Sequence, residues 1–198
     1  MPTITDINQL DFSKQYTYAD YLKWQFEERI ELLKGFVARL APPNVRHQRI
    51  SGELHRQLAN YLYKNACSVY TAPFDVRLTG KNKITNKGVT TVVQPYLCVI
   101  CDKTKLDKRG CVGAPDWIIE ILSPGNSKKE IKDKFEIYQE SGVKEYWIVQ
   151  PEEKAVFVYV LNEAGKYIGL QPFIEDDMAA SFVLPELSIN LKDVFEEL

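Results

Sequence analysis

Asp116-Trp117-Ile118-Ile119-Glu120-Ile121-Leu122-Ser123 is the stretch that decides the fold class of this chain. Between 117 and 122 only Glu120 is polar, so the run lacks a solvent face and suits a central strand covered on both sides. Downstream, Ser127-Lys128-Lys129-Glu130 has the form of a capping box and opens a helical segment to Gln139, with Ser141-Gly142 in the C-cap region. Glu145 to Val149 is strand-like again. A strand, a helix and a strand in immediate succession predict a crossover between parallel neighbours. The class that follows is α/β, with a mixed β-sheet flanked by helices.

Toward the N-terminus, Ile30 to Leu33, Lys34-Gly35 and Phe36 to Leu40 read as a strand, a tight turn and a second strand. Pro42-Pro43 ends that hairpin, and Asn44 can cap a helix from about 45 to 64 whose Ile50, Leu54, Leu58, Tyr61 and Leu62 form one stripe. Strand-like runs follow at about 67–78, 90–101 and 115–123, the first two separated by the polar segment 79–88 with Lys81, Lys83 and Lys87. Beyond the crossover come a hairpin at about 154–161 and 166–174 and a short helix from Asn190. Residues 1–29 hold one short helix signal, Thr17 as N-cap with Asp20 at N3, and read as an appendage. No linker, repeat or low-complexity tract interrupts the 198 residues, which predicts one domain over 1–198.

With 45% hydrophobic and 26% charged side chains the composition is that of a folded globular domain, and disordered or fibrous classes are excluded. A chain of this length buries on the order of 70% of its unfolded surface and needs no covalent staple. The 25 Lys+Arg against 27 Asp+Glu give a net charge of -2, which excludes binding to nucleic acid by bulk charge but not by a local patch. No window approaches about eighteen apolar residues, and Met1 to Asp11 has neither a basic nor an apolar leader region. The expectation is a cytoplasmic chain with no membrane partner. Cys67, Cys98, Cys101 and Cys111 sit in or beside apolar runs and read as small core hydrophobes in a reducing compartment. Cys98 and Cys101 form a CxxC, but on a strand they face opposite sides, a poor geometry for one metal.

Four acids interrupt apolar segments: Glu31 among Ile30, Leu32 and Leu33; Asp75 in Pro73-Phe74-Asp75-Val76-Arg77; and Asp116 and Glu120 around Ile118. Each alone is ordinarily a strand-end acid or one paired with a nearby base. An ionised carboxylate in a buried strand must be paired, protonated or bound to metal, and several together point to a site. Two-residue alternation puts Asp116 and Glu120 on one face. Lys134 is the complementary case, because steps of about 100° place it inside the arc of Ile131, Phe135, Ile137 and Tyr138 and aim it at the sheet. It can equally pair with Glu130 one turn earlier. Carboxylates at a strand end with a lysine nearby suit Mg²⁺ or Mn²⁺ and phosphodiester hydrolysis.

In order along the chain, Glu31-Leu32-Leu33-Lys34-Gly35, Ala41-Pro42-Pro43 with Arg46-His47-Gln48-Arg49-Ile50, Pro73-Phe74-Asp75-Val76-Arg77, Val93-Gln94-Pro95, Gly113-Ala114-Pro115-Asp116, Glu120-Ile121-Leu122-Ser123-Pro124 and Gly142-Val143-Lys144-Glu145-Tyr146-Trp147 resemble the Uma-two family of restriction-endonuclease-like proteins in the PD-(D/E)XK nuclease superfamily. The resemblance runs from about residue 17 to the C-terminus. It implies a restriction endonuclease-like fold with an N-terminal helix-hairpin extension, a nuclease core at about 30–150, and C-terminal hairpins and a short helix over 151–198. It further implies that Glu120 binds metal with the Ile121 carbonyl, that Lys134 takes the lysine role migrated to the helix, and that Glu31 is the extra N-terminal acid. Where the family has Gln-Pro-Asp, this chain has Gln94-Pro95-Tyr96. A phenol with a pKa near about 10 is a poor Mg²⁺ ligand at neutral pH, so Asp116, Asp75 or Glu31 must compensate or the site is degenerate.

Two functions follow from this resemblance. One is a metal-dependent DNA endonuclease with an atypical site, working as a homodimer. The other is an impaired nuclease-fold protein that binds nucleic acid or a partner. Contacts to DNA are expected from Lys128, Lys129 and Lys132 at the helix start, from His47, and from the basic stretches at Lys81 to Lys87 and Lys103 to Arg109.

Overall fold

The computed structural model describes residues 3–79, 85–123 and 128–196. Lys81, Lys83, Pro124 and the Ser127 of the expected capping box lie outside the described residues. Asp20 Oδ2 accepts from the Thr17 N–H at 3.1 Å and starts α1 (Tyr18–Tyr21), as its spacing predicts. β1 (Ile30–Leu33) and β2 (Phe36–Arg39) are joined by Lys34 and Gly35 at φ 51° and 92°. That left-handed pair is what a two-residue hairpin turn requires. Asn44 caps α2 (Val45–Leu62) by accepting from the His47 N–H at 2.9 Å.

The expected long strands at 67–78 and 90–101 are each two strands. β3 (Ser68–Thr71) and β4 (Asp75–Arg77) are separated at Pro73, and β5 (Val92–Val93) and β6 (Leu97–Ile100) at Pro95. Proline donates no backbone hydrogen bond, so both ladders break where they would meet. β3 pairs with β6, while β4 pairs with β5 in another sheet. Among the described residues the strands read from the sequence as one mixed sheet thus fall into two mixed sheets, which part at Pro73 and Pro95, with a small two-stranded sheet nearer the C-terminus. The basic stretch Lys103 to Arg109 contributes to a short hairpin of β7 (Leu106–Asp107) and β8 (Gly110–Val112). Arg77, 4% exposed, anchors it through its Nη1 to Asp107 at 2.9 Å.

β9 (Trp117–Ile121), α3 (Lys128–Ser141) and β10 (Glu145–Gln150) form the predicted crossover, with β9 and β10 parallel and Glu120 opposite Ile148. β11 (Ala155–Leu161), β12 (Tyr167–Gly169) and β13 (Phe173–Ile174) complete a seven-stranded sheet of order β12-β11-β10-β9-β6-β3, with β13 also on β11. The other sheet has the order β2-β1-β5-β4-β8-β7. β14 (Met178–Ala180), β15 (Ser188–Asn190) and α4 (Leu191–Phe195) follow. Strand alternation sorts the two faces: Trp117, Ile119, Trp147 and Val149 pack with Leu54 and Leu58 of α2 and with α4, whereas Ile118, Tyr146 and Ile148 pack with Ile137 and Tyr138 of α3. The result is mixed α/β, with helices flanking mixed sheets. Among the described residues no helix is long and apolar enough to cross a membrane.

The reading of four unpaired thiols is corrected. Cys67 and Cys101 are disulfide-bonded, and Cys98 and Cys111 are free and buried. The β3–β6 register pairs Ser68 with Ile100, so the next pair outward is Cys67 with Cys101, a relation invisible without the register. The cysteines thus give no support to a reducing compartment. The bond closes a separation of 34 residues, and reduction should lower the unfolding free energy by about 2–4 kcal/mol. Urea unfolding with and without reductant checks this, and unchanged midpoints would contradict the pairing.

Candidate active site

Three elements deliver three charges to one point. β1 presents Glu31, β9 presents Glu120 from the face that α3 covers, and α3 presents Lys134 from its sheet-facing arc. Lys134 Nζ lies 2.9 Å from Glu120 Oε1 and 3.0 Å from Glu31 Oε2. The exposures are 0% for Glu31, 5% for Glu120 and 7% for Lys134. Lys134 crosses to the sheet, as the helical arc predicts. Tyr138, one turn after Lys134, donates its phenol to Glu120 Oε1 at 2.6 Å, and the Gln94 N–H donates to Glu31 Oε1 at 2.8 Å.

One ammonium between two carboxylates leaves a buried net negative charge. Burial, with Glu120 adding to it, pushes the Glu31 carboxyl above its ordinary value although Lys134 works against the rise. Burial works against the Lys134 charge, but the two carboxylates prevail and hold the ammonium protonated well above its usual range. Tyr138, buried beside the same acids, keeps its proton.

Glu120 and Lys134 of this cluster line a cavity of about 160 Å³, together with Tyr96, Gln94, Arg29 and Arg39, while Glu31 lies sealed behind them. Tyr96 is half-buried, and burial followed by the nearby Glu120 raises its phenol, so it stays neutral at pH 7. Its ring centroid lies 6.1 Å from that of His47, with the two planes near perpendicular. His47 sits behind the cavity, 3% exposed, with Nε2 3.1 Å from the Leu122 carbonyl and Nδ1 3.4 Å from Ser123 Oγ. A carbonyl only accepts, so the neutral ring carries its proton on Nε2 and can accept from Ser123 at Nδ1. Burial lowers the His47 pKa, and an NMR titration should find its midpoint below the ordinary 6.5. Protonation then favours the unfolded chain, so stability falls as the pH drops below about 6.5. A midpoint at or above 6.5 would contradict this environment.

The other predicted residues are not gathered here. Asp116 lies four residues before Glu120, about 13 Å along the strand. It is held by Lys144 at 2.7 Å and the Cys101 N–H at 2.8 Å. Burial works upward on its carboxyl, yet these two partners keep it below the usual range. Asp75 accepts from the Tyr21 phenol at 3.2 Å and the Gln94 amide at 3.0 Å, one residue removed from Glu31. Lys128, Lys129 and Lys132 are exposed at the start of α3, where Lys132 faces Glu136 at 3.8 Å. Sequence reasoning missed Arg29 and Arg39, which carry no signal of their own, and assigned Tyr138 to the core, where its ring does lie.

Leu122 donates to Val149 on the β10 side, so the Ile121 peptide points to the β6 side. Extending the Leu97–Ile119 register places Pro95 there, which has no N–H to occupy the Ile121 carbonyl. Glu120 and that carbonyl are two oxygen donors, and Tyr96, which lines the same cavity, is a neutral phenol. Among the described residues no group of three or more His, Cys, Asp or Glu converges on one point. The side chains present do not fit an ion held by protein alone.

The family model described as "Uma2: Putative restriction endonuclease" matches residues 18–192. The chain is similar to the uncharacterized protein slr1290 of Synechocystis sp., with 20% identity over 152 residues, 75% of this chain and 76% of that protein. Among solved structures it is similar to "a putative nuclease belonging to DUF820" from Anabaena variabilis, with a TM-score of 0.71 and 20% identity, over 91% of this chain and 97% of that one.

Proposed function

The chain belongs to the Uma2 family of restriction endonuclease-like proteins, and from that premise we propose that it hydrolyses nucleic-acid phosphodiester bonds, DNA first, at the Glu120–Lys134 cavity. The observation that carries this reading is the lysine of α3 meeting both Glu120 and Glu31 beneath a cavity walled by Arg29 and Arg39. Guanidinium groups suit phosphate oxygens in shape and charge. Lys134 Nζ has three donors; with the two carboxylates engaged, one remains to meet charge developing on a phosphoryl oxygen. Tyr138 and Gln94 hold the two carboxylates in place.

Glu120 and the Ile121 carbonyl would hold Mg²⁺ or Mn²⁺ only together with oxygens of the substrate phosphate, a mode common for Mg²⁺. Such an ion would supply polarisation of the phosphoryl group and a water of lowered pKa. Exposed Lys128, Lys129 and Lys132 follow the nucleic-acid backbone, and a homodimer would present two such cavities to two strands. Asp75 and Asp116 serve as supports in this reading, Asp75 through Gln94.

Tyr96 favours a second reading, in which the cavity binds nucleic acid without cutting it. A cleavage assay on single- and double-stranded DNA with Mg²⁺ or Mn²⁺ separates the two. The first reading expects weak cutting that falls at least about 100-fold in Glu120→Gln, a variant that keeps the acceptor for Tyr138. Salt-sensitive binding with no cutting would favour the second.

A further inference from the structure

A second cavity, of about 240 Å³, shares Arg29 and Gln94 with the first as a common wall. Its other walls include Tyr21, Trp24 and Phe26. Trp24 and Phe26 are stacked at 5.7 Å, Tyr21 and Trp24 lie 5.9 Å apart, and all three are half-buried rather than sealed in the core. We propose that this cavity receives one unpaired nucleobase beside the phosphate bound at Glu120. The inference rests on the phosphodiester reading above and adds the substrate class: single-stranded or locally opened nucleic acid.

Three observations fix the occupant. Half-buried aromatic side chains that line a cavity are what bases stack on, whatever their sequence. Gln94 is committed on all sides, donating to the Tyr21 phenol at 3.1 Å and to Asp75, and accepting from Arg29 Nε at 3.0 Å, so it holds Tyr21 and Arg29 rigid. Arg29 is thereby fixed between the two cavities with its terminal nitrogens left for a phosphate or a base edge. Exposed Glu27 and Glu28 also line the second cavity, disfavour a second phosphate there and offer acceptors to exocyclic amino groups. A neutral aromatic ring carrying donors fits this lining; a polyanion does not.

The chain has three tryptophans, and Trp117 and Trp147 are fully buried, so a ligand that stacks on an indole reports on Trp24. The test is a titration of the full chain, with Ca²⁺ in place of Mg²⁺ and Mn²⁺ so that the phosphate can bring an ion while cutting is suppressed, with a single-stranded oligodeoxycytidine and with an all-abasic phosphodiester oligomer of equal length. The expected result is about tenfold tighter binding of the base-bearing strand with quenched tryptophan emission. In Trp24→Leu the two affinities should converge while the abasic strand binds as before. Equal affinities without quenching would overturn the base site and leave the phosphate cavity standing. Tighter binding that neither quenches emission nor responds to Trp24→Leu would place the base elsewhere and also overturn it. Failure of both strands to bind would overturn the base site and the phosphodiester reading together.

Discussion

Replacing Lys134 with Met is expected to lower the unfolding free energy at pH 7 by about 3–5 kcal/mol, the usual cost of removing one partner from a buried ion pair. Here the loss leaves two carboxylates facing each other in the interior, Glu31 with no exposure at all. Met fills most of the lysine's volume, so the cost is electrostatic rather than a cavity. Its pH dependence follows from the direction of the Glu31 shift, which burial already sets upward in the native chain. Without the ammonium that opposes it, that carboxyl rises further. A carboxyl that binds its proton more tightly when folded contributes most below the unfolded value of about 4.3 and loses that contribution as the pH climbs through the folded value. The deficit of the variant should therefore shrink between pH 7 and pH 5. Urea unfolding at both pH values checks this, and a variant as stable as the native chain at pH 7 would contradict the burial of Lys134 between two acids.

Tyr96→Asp should change metal affinity more than any other single replacement. The phenol it removes is neutral at pH 7, whereas an aspartate beside Glu120 and the Ile121 carbonyl is an ionised third oxygen donor. Calorimetric titration with Mn²⁺ and no nucleic acid should show no saturable binding to the native chain and clear binding to the variant. Cleavage should rise by about 100-fold or more, in proportion to the metal now held before substrate arrives. In the absence of metal the added negative charge repels Glu120 and Glu31, so the variant should unfold more easily and recover when Mn²⁺ is added.

How much of this was legible beforehand depends on whether the relevant physics is local. Lys134 was legible, because the helical period aims it at the sheet and only an acid makes a buried lysine tolerable. The β9–α3–β10 crossover was legible from a two-sided apolar strand followed by a capped helix. Asp116 misled, since alternation puts it on the Glu120 face; Lys144 and the Cys101 N–H, both distant in sequence, claim it instead. Pro73 and Pro95 broke two strands and divided them between sheets, and each proline could have been read as a break. That the two breaks adjoin is a consequence of pairing. The Cys67–Cys101 bond and the Arg29 and Arg39 walls likewise exist only once β3 lies on β6 and β1 lies near β5.

The assignment of hydrolysis to Glu120 and Lys134 is tested most directly by one cleavage assay on DNA with Mg²⁺ and with Mn²⁺, running the native chain beside Glu120→Gln and Tyr96→Asp. Weak cutting is expected from the native chain, none from Glu120→Gln and strong cutting from Tyr96→Asp. Cutting that survives undiminished in Glu120→Gln, or DNA that binds all three proteins and is cut by none, would contradict the assignment of hydrolysis to Glu120 and Lys134.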